Sequence, residues 1–168
     1  FDDYILYFGR LDPEKGVSTL LKAMKYLPQL RLVIVGDGSQ MASLEQWVSQ
    51  NQLNNIDFVG AKWGNELAPY LNRARLVVVP SIWYEPSPYV VYQAFASGKP
   101  VIAADIGGIP ELVNEESGAL FAPGNVEDLV EKLESLAFDD KKLKTKGRYA
   151  RSWVEKHLDP QTYYRKLD

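Results

Sequence analysis

The sequence has no cysteine and a single histidine, His157, among its 168 residues. The lack of cysteine excludes disulfide scaffolds, thiolate metal sites and cysteine nucleophiles, and one histidine argues against a zinc site. No apolar run approaches the roughly 20 residues that span a bilayer, and the first residues lack a signal-peptide pattern. A net charge of -3 supplies no global field for nucleic acid. We therefore expect a cytoplasmic protein that does not bind nucleic acid.

The composition, with 46% hydrophobic and 24% charged residues, is that of a globular domain and argues against disorder. Short β-branched runs alternate with longer amphipathic stretches, which predicts βα units around a parallel sheet. We predict strands at 4–8, 31–35, 56–59, 76–79, 101–104 and 119–121. Residues 1–168 should form a single Rossmann-like domain with α/β/α layers and about six parallel strands. A strand so close to residue 1 suggests a domain excised from a longer polypeptide.

The helix after the fourth strand has clear signals at both ends. Serine is a favoured cap and proline is favoured at the first helical position, so Ser87 and Pro88 predict a helix over 88–97, with Gly98 closing it. Further helices are expected over 126–137 and beyond Lys141. Since ligands of open parallel sheets bind at the carboxyl ends of the strands, this helix start and the loops beside it are the candidate site.

Two cations follow the first strand. If the loop that carries Arg10 and Lys15 folds back, both can converge on one anion. The backbone N–H groups of Tyr89, Val90 and Val91 would point the same way with the positive end of the helix dipole behind them. Together these groups predict a phosphate or diphosphate site.

An alternative explains Arg10 and Lys15 equally well by spacing alone: they are surface charges that pair with Asp12 and Glu14.

Glu85 and Gln93 flank the same helix start. Taken singly, Glu85 is a solvated loop carboxylate and Gln93 a neutral helix-surface residue. Their position around a predicted anion site gives both a second interpretation, as ligand contacts.

Several motifs together resemble the carboxyl-terminal half of the group 1 glycosyltransferases. They are residues 8–16 (FGRLDPEKG), 35–38 (VGDG), 85–103 (EPSPYVVYQAFASGKPVIA) and 107–111 (GGIPE), with Gly118 before the last strand. They occur in family order and cover essentially the whole chain. The resemblance implies the GT-B architecture, in which two Rossmann-like domains face each other across a cleft and the second binds the nucleotide sugar.

The resemblance implies roles for named residues. Arg10 and Lys15, after Gly9, would neutralise the donor diphosphate, and the amides that open the helix, including those of Tyr89 and Val90, would hold it from the other side. Glu85 would meet the sugar hydroxyls.

Gln93 would meet the ribose, and the backbone around Val59 and Gly60 would line the base pocket.

Family chemistry is retaining hexosyl transfer to a glycan, lipid or small molecule, with no metal or other cofactor. The catalytic residues would be Glu85, Arg10 and Lys15. The acceptor would bind an amino-terminal domain of the same polypeptide.

The chain departs from the family at three positions. Many members have glutamate where this chain has Gln93, and an amide accepts from only one ribose hydroxyl. Pro88 stands where a small residue is usual and has no N–H. Tyr89 places a bulky side chain near the sugar pocket. We expect these changes to affect recognition of the ribose and binding of the diphosphate anion.

Two other interpretations of the function stay open. A binding module that has lost turnover would explain Gln93 and Pro88, and a phosphorylase or epimerase could use the same architecture. A nicotinamide dehydrogenase is disfavoured, because Met41 stands where the fingerprint after Gly36 needs its third glycine.

The basic residues from Lys141 to Arg151 form a solvated helix face, or a contact with the inner face of a membrane.

Overall fold

The computed structural model describes residues 4–84 and 88–158. Within these ranges the chain forms a six-stranded sheet with the order β3-β2-β1-β4-β5-β6, and all neighbouring strands are parallel. The strands are β1 (Tyr4–Phe8), β2 (Arg31–Val35), β3 (Ile56–Phe58), β4 (Val77–Val79), β5 (Val101–Ala104) and β6 (Gly118–Phe121). The predicted Rossmann-like α/β fold is confirmed, with strand ends shifted by one residue in β3, β4 and β6.

Helices connect the strands and cover both faces of the sheet. They are α1 (Val17–Met24), α2 (Met41–Gln50), α3 (Ala68–Arg73), α4 (Tyr89–Ala96), α5 (Val126–Ala137) and α6 (Asp140–His157). Short 3-10 turns occur at Pro13–Lys15, Gly64–Glu66 and Ile109–Glu111. The first of them lies where the sequence predicted only a loop.

Alternate residues of each central strand enter two separate cores, because successive side chains of a strand point to opposite faces. In β1, Ile5 and Tyr7 pack with α1, α2 and α5, whereas Leu6 and Phe8 pack with α3 and α4. All five residues of β1 are buried. Because one core lies on each face of the sheet, the domain has three layers: helices, sheet and helices.

Helix α6 packs along α4 and holds it against the sheet. The Trp153 ring lies 6.3 Å from Tyr92 and 6.2 Å from Phe95, measured between ring centroids. At the other end of the contact, a Cβ on Gly147 would lie 2.3 Å from the carbonyl oxygen of Gly98, so only glycine allows this approach.

The strand order reverses between β1 and β4. From β1 the chain adds β2 and β3 on one side, then returns to place β4 on the other side of β1. Loops that leave β1 and β4 therefore diverge, which opens a crevice at their carboxyl ends. Among the described residues, no helix is both long and apolar enough to cross a bilayer.

Candidate functional site

A cavity of about 300 Å³ lies at this crevice. Its lining comes from three parts of the chain that meet at the carboxyl edge of the sheet: Tyr7, Phe8, Gly9, Arg10 and Lys15 from β1 and its loop, Val78, Val79 and Ser81 from β4 and its end, and Tyr89 and Val90 from α4. The structure thus brings five of the predicted site residues to one cavity.

The loop after β1 folds back onto the end of β4. Gly16 has φ of 64°, in the left-handed region, and a Cβ there would lie 2.0 Å from the carbonyl oxygen of Pro80. Nearby, the Ile82 amide donates to the carbonyl oxygen of Glu14 over 3.0 Å. Because this contact is between backbones, it fixes the 3-10 turn and brings Lys15 to the cavity.

Arg10 is engaged by two carboxylates. Its Nη1 lies 2.6 Å from Asp12 Oδ2 and its Nη2 lies 3.0 Å from Glu14 Oε1. The side chain of Arg10 is 64% exposed. For Arg10, the pairing that the alternative interpretation predicted is therefore present, and it occurs at the wall of the cavity.

Asp12 connects the loop after β1 to the loop after β2. Its Oδ1 accepts hydrogen bonds from the Ser39 amide at 3.1 Å and the Ser39 hydroxyl at 2.8 Å. These hydrogen bonds, with the Arg10 guanidinium nearby, hold the pKa of the Asp12 carboxyl below its ordinary value. Both carboxylate oxygens of Asp12 therefore accept hydrogen bonds, Oδ1 from Ser39 and Oδ2 from Arg10.

Helix α4 begins one residue later than predicted. Pro88 is its N-cap, with extended φ and ψ of -74° and 96°, and Tyr89 is its first residue. The prediction of Pro88 at the first helical position was wrong. The Val91 amide donates to the carbonyl oxygen of Pro88 over 2.9 Å, so it is not available to an anion. Tyr89 and Val90 are the first two residues of α4, so their amides have no acceptor within the helix, and both residues line the cavity.

Gln93 lies one turn along α4 from Tyr89 and lines a neighbouring groove of about 440 Å³. The groove also contacts Tyr92, Val154 and Leu158. Tyr89 lines both spaces and is 71% exposed. Glu85 and Ser87 lie outside the described residues.

Val59 and Gly60 follow β3, two strands away from β1. Val59 lines a different cavity of about 390 Å³, with Tyr70 and the two arginines Arg31 and Arg73. The carbonyl oxygen of Gly60 accepts from the Gly36 amide at 3.0 Å. The structure therefore does not bring Val59 and Gly60 to the cavity that Arg10 lines.

Residues 2–153 match the family described as glycosyl transferases group 1. The chain belongs to the group 1 glycosyltransferases. It is 35% identical over 157 residues to a sulfoquinovosyl transferase of Arabidopsis thaliana, a match that covers 91% of this chain and 30% of the relative. It is also 35% identical to a glycogen synthase of Mycobacterium tuberculosis, over 94% of this chain and 39% of the relative. The chain thus spans well under half the length of these relatives.

Solved glycosyltransferase structures have the same fold. HepE from Anabaena, in complex with UDP-glucose, superposes with a TM-score of 0.89 at 29% identity, over 99% of this chain and 47% of that one. Sucrose-phosphate synthase from Thermosynechococcus elongatus gives 0.84 at 33% identity, over 99% and 46%. Both matches cover about half of the larger protein.

A phosphorylase on this architecture would need a buried lysine for a pyridoxal aldehyde, so the buried Lys99 bears on that alternative. Lys99 is 4% exposed, and its Nζ donates to the carbonyl oxygens of Asn72 at 2.7 Å and Ala74 at 2.9 Å. It precedes β5, at the edge of the sheet opposite the cavity, where it satisfies the end of α3. Its ammonium is therefore committed to backbone carbonyls, away from the crevice.

Two residues at the candidate site were given no role from the sequence. Ser39 is 27 positions from the Asp12 carboxylate it contacts, and no spacing rule links them. Tyr7 was assigned to a buried strand, yet its hydroxyl donates to the carbonyl oxygen of Arg10 at 2.5 Å. Across residues 4–84 and 88–158, no group of three or more Asp, Glu and His side chains could hold a metal ion. The metal-free reaction stays a prediction.

Proposed function

We propose that this domain binds the diphosphate of a nucleotide sugar in the cavity between β1 and β4, as the donor-binding half of a retaining glycosyltransferase. The observation that carries the proposal is the convergence of Arg10, Lys15 and the first turn of α4 on that one cavity. Two cations and the amides of the first two residues of α4, Tyr89 and Val90, would match the charge and the acceptor oxygens of a diphosphate.

The same groups would serve the reaction as well as binding. When the bond between the sugar C1 and the diphosphate oxygen breaks, negative charge grows on the departing diphosphate. Preorganised donors at that position stabilise the transition state more than the ground state. In this proposal Arg10 and Lys15 supply the charge, and Glu85 contacts the sugar hydroxyls.

Relatives support a hexosyl donor. HepE was solved with UDP-glucose, and the chain shares 29% of its residues with HepE. We propose a nucleoside-diphosphate hexose for this chain too, with Gln93 near the ribose and the backbone of Val59 and Gly60 near the base. Since the relatives are two to three times longer than the matched region, we propose that the acceptor binds a second domain.

Calorimetric titration of the chain with UDP, GDP and ADP tests the proposal. At least one diphosphate should bind, and Arg10→Ala and Lys15→Ala should each weaken it by about 1–3 kcal/mol, the range for a charge-assisted contact. Affinity for the corresponding nucleoside should not change. Lys132→Ala is the matched control, because Lys132 also pairs with two carboxylates, Asp128 and Glu131, each at 3.2 Å, but lies on α5 outside the cavity.

Two results would contradict the proposal. The first is that none of the three diphosphates binds. The second is that Lys132→Ala weakens binding as much as Arg10→Ala does, since any loss would then reflect net charge and not the cavity.

The isolated domain should bind donor without transferring sugar, because the proposed acceptor half of the cleft is missing. Steady acceptor glycosylation by this chain alone would refute the two-domain proposal. A longer polypeptide that contains this domain and binds the donor, yet never turns it over with any acceptor offered, would favour the alternative of a binding module.

We also propose that the basic face of α6 contacts an anionic membrane. An open groove of about 850 Å³ is lined by Lys141, Lys144, Arg148 and Arg151, spaced to lie along one side of the helix, together with the two carboxylates Asp140 and Glu155. Each such residue near an anionic surface contributes about 1 kcal/mol. Sedimentation with phosphatidylserine vesicles should deplete the chain from solution, and Lys144→Glu should reduce that depletion; equal sedimentation with neutral vesicles would contradict the contact.

A further inference from the structure

We propose that Asp12 and Glu14 have opposite effects on diphosphate binding. Asp12 positions the Arg10 guanidinium at the cavity, whereas Glu14 pairs with the same guanidinium in the place of a phosphate and so competes with the diphosphate. This inference rests on the proposed function of the cavity. Both carboxylates contact the same guanidinium, through different terminal nitrogens.

Asp12 is held in place independently of Arg10. Its Oδ1 accepts two hydrogen bonds from Ser39, and its side chain is only 18% exposed. The backbones of the two loops are also joined beside it: the Leu11 amide donates to the Asp37 carbonyl oxygen, and the Gln40 amide donates to the Leu11 carbonyl oxygen, both over 2.8 Å. Asp12 therefore presents Oδ2 to Arg10 from a rigid support and limits where the guanidinium can go.

Glu14 lacks such support. Across residues 4–84 and 88–158, the only side chain in contact with its carboxylate is Arg10, through one oxygen at 3.0 Å. Its side chain is 36% exposed, twice the value for Asp12. Its backbone is fixed by Ile82, so the side chain can rotate away without disturbing the loop.

An incoming phosphate would therefore displace Glu14 and leave Asp12 bound. Exposed ion pairs such as the one between Arg10 and Glu14 are weak, because both partners are well solvated and the side chains lose freedom. A phosphate oxygen can accept from the same guanidinium nitrogen with the stronger geometry of a charge-assisted pair. While Glu14 remains paired, the affinity for diphosphate is lowered by the cost of breaking that pair.

Two amide substitutions separate positioning from simple charge. Asp12→Asn and Glu14→Gln each remove one negative charge close to the cavity, so a purely long-range effect would tighten binding in both. We expect Glu14→Gln to tighten the diphosphate dissociation constant about two- to fivefold, the range for an exposed ion pair. We expect Asp12→Asn to weaken it about tenfold, although it also removes a negative charge. The probes are UDP, GDP and ADP, by calorimetric titration at one salt concentration.

The matched control is Glu131→Gln, which removes an exposed carboxylate that pairs with Lys132 at 3.2 Å on α5, outside the cavity. Its effect should be less than twofold. Ser39→Ala changes no charge but removes one support of Asp12, so it should weaken binding in the same direction as Asp12→Asn. In an Arg10→Ala background, Asp12→Asn and Glu14→Gln should no longer have opposite effects, because both act through that guanidinium.

The outcomes are distinct. Three results would each overturn this inference: both amide variants tighten binding, their effects are no larger than that of Glu131→Gln, or their opposite effects persist without Arg10. In each case, diphosphate binding by the parent chain would leave the proposed function standing. If the parent chain binds none of the three diphosphates, the proposed function fails and this inference fails with it. Circular dichroism of each variant verifies that the fold is intact.

Discussion

Gly16→Ala tests whether the return of the first loop onto β4 builds the cavity. The backbone of Gly16 is in the left-handed region, with φ of 64°. A Cβ there would lie 2.0 Å from the carbonyl oxygen of Pro80 and 3.0 Å from Cγ2 of Ile82. The first of these contacts is with backbone at the end of a buried strand, which cannot yield. The turn must therefore move away from β4.

The expected loss of stability has two parts. An L-residue in the left-handed conformation costs about 1–2 kcal/mol. Moving the turn also breaks the hydrogen bond from Ile82 to Glu14, which contributes about 0.5–1.5 kcal/mol. We expect a total destabilisation of about 2–3 kcal/mol in urea unfolding. Because Lys15 is adjacent to Gly16, diphosphate affinity should fall as well.

Gly124→Ala is the control that isolates the backbone part. Gly124 has φ of 74°, and a Cβ there would have nothing within 4 Å. It should cost only the conformational part, and diphosphate affinity should be unchanged. The difference of about 1 kcal/mol between the variants corresponds to about 2–4 °C in melting temperature for a domain of this size. Equal losses of stability, with equal affinities, would refute the argument that Gly16 is required by its contact with Pro80.

Further predictions concern a helix residue near the cavity and two helix caps. Gln93→Glu should raise the preference for a ribo over a 2′-deoxyribo diphosphate by about two- to tenfold, since the carboxylate regains one acceptor; an unchanged ratio in calorimetry would remove Gln93 from the ribose site. Asn125→Ala should lower the free energy of unfolding by about 1 kcal/mol, because the Asn125 side chain accepts from the Asp128 amide at the start of α5; a stability equal to that of the parent would show that the cap contributes nothing. Asp139 caps α6, and the hydrogen bond from the Lys142 amide holds the pKa of its carboxyl below the ordinary 3.8. The stabilisation by the charged cap is therefore complete at pH values above 3.8 and is lost as the pH falls through the lowered pKa. Urea unfolding should therefore find Asp139→Asn less stable than the parent at neutral pH and equally stable in strong acid; a difference that does not depend on pH would contradict the ionic part of the cap.

Much of the fold could be predicted from the sequence because its signals are local. The run of five apolar or aromatic residues at 4–8 (YILYF) and the alternation of strands with amphipathic helices indicate a parallel sheet directly. Gly98 ends the helix α4 with φ of 63°, as its position predicted. The start of α4 was predicted one residue early, because proline is compatible with both the cap and the first helical position, and only the backbone dihedral of Pro88 distinguishes them.

For the candidate site, the sequence by itself determined which residue types could meet at the carboxyl edge: Arg10 and Lys15 in one loop, and the amides of one helix start. Only the tertiary structure decided how they are arranged. It joins Asp12 to Ser39 and places Gln93 in a neighbouring groove. The physical reason is that these contacts connect loops and helices that are distant in sequence, and they depend on which strands are neighbours and on how far each loop returns, which no local spacing specifies.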